Sequence, residues 1–148
     1  LNDDFMRQCR QLVDGVWGLA EWHLAGGTVH RAPEAVGRFV FLGGTVSMLM
    51  RLTTTERENH RYGIGRSVIE DGRLLYGYDQ LFDYTRDSRG ARSSPQVATG
   101  LRPYGLQWEE GRLVCTGESH ATRMIFTADR LHVYDGQRLL REWRREVR

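Results

Sequence analysis

Lysine is missing from this chain of 148 residues: every one of its 21 basic side chains is an arginine. A mechanism through a lysine Schiff base is therefore excluded. Base composition of the coding sequence accounts most simply for such a bias. The functional alternative is bidentate recognition of carboxylate or phosphate. Cysteine is scarce too. Cys9 and Cys115 make no disulfide framework, and two free thiols fit a reducing compartment, for which the cytoplasm is the expectation. No apolar run approaches the ~20 residues of a bilayer-spanning helix. No signal-peptide pattern is read in the sequence, which begins at Leu1 rather than Met. Nor does charge of one sign dominate. A formal net charge of +2 gives no field that points to nucleic acid or to an anionic membrane, and neither is expected as a partner. The five scattered histidines and two distant cysteines, and the His60, Glu56 and Glu58 cluster, lack zinc-ligand spacing. Nothing supports haem ligation by a single histidine. There is no phosphate-binding glycine loop, no G-x-S-x-G and no Cys–His pair. No metal or cofactor is expected.

What is present fits one domain, because single cores commonly span about 100–200 residues. A chain this long buries roughly 68–70% of its unfolded surface without needing staples. Residues 2–14 predict a short helix, capped by Asn2 or Asp3, with Phe5, Met6, Cys9, Leu12 and Val13 at helical spacing. Gly15 ends it and a strand begins, running to Leu24. From there the pattern is almost entirely β. Strands are expected over 38–42, 45–53, 61–70, 73–85, 104–109, 112–118, 120–127, 130–135 and 138–145. Gly43-Gly44, Asp71-Gly72, Glu110-Gly111 and Asp135-Gly136 are tight-turn signals between them. Residues 86–103 break the rhythm with Gly, Ser and Pro and read as the longest loop, with room for a short strand through Gln96–Thr99. Its Arg86, Arg89, Arg92 and Arg102 could draw an anion to the mouth of a barrel, or simply be solvated. A meander of nine or ten strands must manage its edges, and rolling into a closed up-and-down barrel removes them. A sandwich would need longer crossovers. The expected class is all-β: an up-and-down antiparallel barrel of about eight to ten strands with a short N-terminal helix.

Some of these residues also resemble a known family. Gly15-x-Trp17 opening the first strand is similar to the entry motif of the calycins, and especially of bacterial lipocalin-like domain proteins. Residues 37–50 (GRFVFLGGTVSMLM) resemble that family's following hairpin. Asp129-Arg130-Leu131 through Leu140-Arg141-Glu142-Trp143-Arg144-Arg145 resembles its closing segment. The middle, Tyr76–Tyr84, departs from the family pattern. The resemblance implies a barrel with an interior cavity. It implies no single activity, since such barrels host binders and a few cofactor-free enzymes alike.

Strand parity nominates the site residues. If Trp17 seals the barrel from inside, Leu19, Glu21 and His23 face inward with it. The opposite parity would put Val16, Ala20, Trp22 and Leu24 inside. An inward Glu21 must meet an arginine or titrate upward, and His23 could move a proton beside it. Arg141 or Arg144 could lie over the Trp17 ring as a cation–π pair. Later in the chain, His120 is a candidate base or hydrogen-bond donor on the face of Thr122, Met124 and Phe126. Arg123 reaches that face only if a bulge at Ser119 turns it. Val46, Met48, Met50 and Leu52 share one face of their strand; only Leu49 interrupts the alternation. The aromatic ladder Tyr76, Tyr78, Phe82 and Tyr84, with Tyr62 and Tyr104, is core or cavity wall. The candidate catalytic residues are thus Glu21, His23 and His120. The candidate ligand contacts are Trp17, Leu19, Met48, Met50, Tyr62, Tyr78, Phe82, Arg123 and Phe126. Two functions fit: a barrel binding a small, mostly apolar molecule, with or without a carboxylate or phenol, or a cofactor-independent isomerase, cyclase or lyase using the Glu/His pair. A barrel packed solid would instead be an interaction domain. The expected partners are a small-molecule ligand or substrate and a second copy of the chain in a homodimer.

Overall fold

The structure, a computed structural model, describes residues 3–94 and 97–147. The predicted cap Asn2 and the Gln96 end of the expected short strand lie outside the described residues. Helix α1 (Asp3–Val13) carries Asp3 and Asp4 in its first turn, where they complement the helix dipole, and buries Cys9 and Val13. Twelve strands follow among the described residues: β1 (Gly15–His23), β2 (Val29–His30), β3 (Ala35–Leu42), β4 (Thr45–Thr53), β5 (Glu58–Glu70), β6 (Arg73–Asp87), β7 (Gly90–Ser93), β8 (Arg102–Glu109), β9 (Arg112–Gly117), β10 (Thr122–Phe126), β11 (Arg130–Asp135) and β12 (Arg138–Val147).

Ten of them form the wall. The order is β12-β11-β10-β9-β8-β6-β5-β4-β3-β1, and β12 pairs back onto β1, so the sheet closes as an antiparallel barrel without free edges. The short β2 and β7 are additions to β1 and β6. The predicted turns set the meander. Gly43-Gly44, Asp71-Gly72 and Glu110-Gly111 all adopt positive φ, the conformation two-residue hairpin loops need to match strand twist. The 86–103 region is not one loop: β7 folds back on β6, and residue 97 then forms a single bridge with Leu81.

α1 plugs one end. Trp17, fully buried, donates its indole N–H to the Val13 carbonyl at 3.1 Å and packs edge-on against Phe126 at 5.5 Å. Arg145, rather than Arg141 or Arg144, lies over the Trp17 ring at 4.1 Å and also donates to the carbonyls of Leu12, Asp14 and Ala128. The last strand is thereby fastened to the helix and the first strand at once.

Two bulges decide which residues face inward. Residues directly opposite on antiparallel strands share a face. Leu19 pairs with Trp143, yet Glu21 pairs with Glu142, the very next residue, so Ala20 is the extra one and parity reverses after it. In the same way Ile64 pairs with Gln80 and Gly65 with Tyr78, leaving Asp79 as the extra residue in β6. A third bulge, at Leu140, sets Arg141 opposite the buried Val133.

Candidate functional site

The barrel interior is packed solid at the helix end and hollow toward the other. The hollow measures about 160 Å³ and is walled by Phe39, Met48, Met50, Tyr76, Tyr78 and Trp143, with Val133 behind them. It lies against the weakest seam of the wall. β6 and β8 pair only from Arg73–Tyr76 to Arg102–Gly105 and then splay. Residues 97–101 cover the gap, through Leu81 N–H to the Val97 carbonyl at 3.0 Å, its reciprocal at 3.2 Å, and Thr99 N–H to the Tyr78 carbonyl at 2.9 Å. The cover fits closely because Gly77 has no side chain: a Cβ there would fall 1.5 Å from the Gly100 carbonyl oxygen. Glycines make room inside as well. A Cβ on Gly63 would meet the Tyr78 ring at 2.5 Å, which is how β5 accommodates the aromatic side chain of its neighbour.

The polar lining of this hollow is one-sided. Arg61, Arg102 and Arg141 all border it, and among the described residues no aspartate or glutamate does. Arg141 has a single weak acceptor, the Met50 thioether at 3.7 Å, and burial together with the nearby Arg61 charge works against its protonated form. Arg61 Nε and Trp143 Nε1 are buried with no acceptor. The phenols do not supply negative charge. Burial raises Tyr76, Tyr78 and Tyr104, so all three remain neutral donors. Tyr76 and Tyr104 stack at 5.3 Å and share a hydroxyl–hydroxyl contact of 3.4 Å.

The predicted residues separate into groups. Met48, Met50 and Tyr78 stand on the cavity wall. Trp17 and Phe126 are buried in the solid end, and Leu19 packs against the core cluster; none of the three borders the hollow. The expectation that Glu21 and His23 point inward is corrected by the Ala20 bulge, which brings Trp22 to the core instead. Glu21 accepts from His23 at 2.9 Å and from the exposed Arg31 at 2.6 Å, and these bonds lower its carboxyl pKa. It meets an arginine, but on the outer wall. Tyr62 and Phe82 are likewise corrected: the Asp79 bulge leaves them stacked at 5.9 Å outside, with Tyr62 41% exposed. Arg123 sits 4.7 Å over the ring of Tyr134 and does not line the cavity. Glu118, two residues before His120, pairs with Arg73 at 2.9 Å instead.

His120 is closer to the interior. Its ring lies 4.8 Å edge-on from Tyr104, and both ring nitrogens are buried without partners. Burial first, and the Arg102 charge second, lower its pKa and favour the neutral ring. Both cysteine thiols are buried and their pKa values raised by that burial, which leaves them protonated and unreactive. Sequence reasoning misses Arg61 and Trp143 as cavity residues and assigns Arg141 to the Trp17 ring, while Arg102, expected at the barrel mouth, does border the hollow. The one available signal was the Arg61-x-Gly63-x-Gly65 rhythm, whose Gly63 leaves room for the Tyr78 ring.

A larger concavity of about 600 Å³ lies on the outer wall, bordered by Arg38, Leu49, Arg51, His60, Tyr62 and Glu146. It is an open groove whose Arg38 is already paired with Glu146 at 3.0 Å. The interior hollow, less open than this groove and with unpaired donors, is the better candidate.

The closed ten-stranded antiparallel barrel with one short helix is consistent with a calycin-like fold. Comparison with family models, curated proteins and solved structures finds no match for this chain. Among the described residues no helix is long and apolar enough to cross a membrane.

Proposed function

We propose that this chain is a lipocalin-like barrel that binds a small, mostly apolar molecule in its interior. The observation that carries the reading is the 160 Å³ hollow between Phe39, Met48, Met50, Tyr76, Tyr78 and Trp143. Its size limits the occupant. Pockets for drug-sized ligands are roughly 300–1,000 Å³, whereas an apolar cavity of about 150 Å³ accepts one benzene ring. A single ring with a short substituent fits, and a fatty acyl chain does not. Toluene titrated into the protein and followed by the methyl resonances of Met48 and Met50 tests this. Shifts in the wild type that vanish in Val133→Phe, which fills the hollow, are expected. Unshifted methyls, or equal shifts in both proteins, would refute it.

A second reading, a cofactor-independent isomerase, cyclase or lyase, no longer has Glu21 and His23 at the cavity. One arrangement favours it: neutral His120 against Tyr104, whose hydroxyl reaches that of Tyr76 on the wall. The unpartnered ring nitrogens of His120, beside the cavity-lining Tyr104, are the base this reading uses. Turnover that survives His120→Gln unchanged would remove that route.

A further inference from the structure

The hollow has far more to donate than to accept. Three guanidinium groups border it with no carboxylate among them, Arg61 and Trp143 each hold a buried N–H without an acceptor, and Arg141 has only a thioether. No ion pair involves Arg61, Arg102 or Arg141 among the described residues. The outer wall behaves differently: Arg31, Arg38, Arg73, Arg86 and Arg92 all meet carboxylates there. Those five arginines are thus paired in solvent, where pairing contributes little, while the half-buried Arg61 and Arg141 beside the cavity carry no ion pair, where a lone charge costs more.

Resting on the reading of the hollow as a binding site, we infer that its occupant is an organic anion: a single-ring carboxylate whose acid group is received between Arg61 and Arg141 and whose ring lies among Phe39, Met48, Met50 and Tyr78. A guanidinium presents a planar fork that matches a carboxylate, and charge-assisted bonds of this kind are about twice as strong as neutral ones. Arg102 stands with Thr99 where residues 97–101 cover the seam, so an entering acid meets positive charge at the opening before reaching the inner pair. The protonated phenols of Tyr76 and Tyr78 can donate to the same acid group but cannot neutralise the arginines themselves. An anion completes the set.

Benzoate and benzamide separate charge from shape, since they differ little in size and only one is an anion. Their dissociation constants would be measured by the Met48 and Met50 methyl shifts on wild type, Arg141→Met and Arg61→Gln, with toluene as the neutral reference. Benzoate should bind the wild type at least about tenfold more tightly than benzamide, a difference of roughly 1.4 kcal/mol. Each substitution should erase that preference while toluene still binds. Equal affinity for benzoate and benzamide, a preference that survives both substitutions, or toluene entering where benzoate does not would overturn the inference and leave the cavity standing. If no probe shifts either methyl, the cavity reading falls and this inference with it.

Discussion

Replacing Arg141 with methionine is expected to stabilise the protein when no ligand is bound. The guanidinium is partly removed from water, faces the like charge of Arg61, and has the Met50 sulfur at 3.7 Å as its acceptor. Methionine keeps the unbranched stem, occupies a similar volume, and places a thioether where the charge was. Exchanging buried ionic groups for apolar ones is commonly neutral to stabilising by up to about 4 kcal/mol. Because part of the Arg141 side chain still reaches water, the lower range applies, about 1–2 kcal/mol. For a domain of this length each kcal/mol moves Tm by about 2–4 °C, so a rise of about 2–8 °C should appear in a calorimetric scan. Urea titration should give a higher midpoint with an unchanged m value. Arg145→Met is the matched comparison and must go the other way, since Arg145 packs on Trp17 and donates to three carbonyls. A fall in Tm for Arg141→Met with the m value unchanged would show that this charge is a structural partner, and the cavity would lose its claim to an unpaired cation.

Trp17→Ala should cost about 3–5 kcal/mol, because the fully buried indole joins α1, Phe126 and Arg145; an equilibrium unfolding curve reads this, and a loss under 1 kcal/mol would contradict the plug. Gly77→Ala should detach residues 97–101 from β6, since the new Cβ meets the Gly100 carbonyl, a backbone atom that only moves with its segment. Hydrogen exchange at the Leu81, Val97 and Thr99 amides should then accelerate, and unchanged protection would rule the cover out. His120 governs a pH dependence. Its folded-state pKa is depressed, so the stability it contributes is complete above the ordinary value of about 6.5 and is lost as pH falls through that value toward the folded one. Between pH 7 and about 5 the urea midpoint of wild type should therefore drop more steeply than that of His120→Gln. Parallel curves would mean the ring is not desolvated.

Much of the architecture was legible beforehand because its causes are local. Gly43-Gly44, Asp71-Gly72 and Glu110-Gly111 each force a two-residue hairpin by backbone sterics alone, and Val46, Met48, Met50 and Leu52 show their common face through simple alternation. Short turns in series leave a meander little choice but to close. Met48, Met50 and Tyr78 could be nominated for the cavity because their strands run unbroken up to them. Glu21, His23, Tyr62 and Phe82 could not be placed, for one shared reason. A β-bulge adds a single residue to one strand of a pair, and its position depends on how two distant segments come into register. Nothing at Ala20 or Asp79 announces the extra residue: the first is fixed by Trp143 and Glu142 across the closing seam, the second by Ile64 and Gly65 on the neighbouring strand. Each bulge reverses the parity of everything beyond it. The amino-acid order by itself thus determined that the chain is a turned, alternating, self-closing sheet with a helix at one end. Only tertiary pairing decided that Arg61 and Arg141 look into the hollow while the glutamate and histidine of the first strand look out, because inward and outward are set by register, and register is a property of two strands rather than of one.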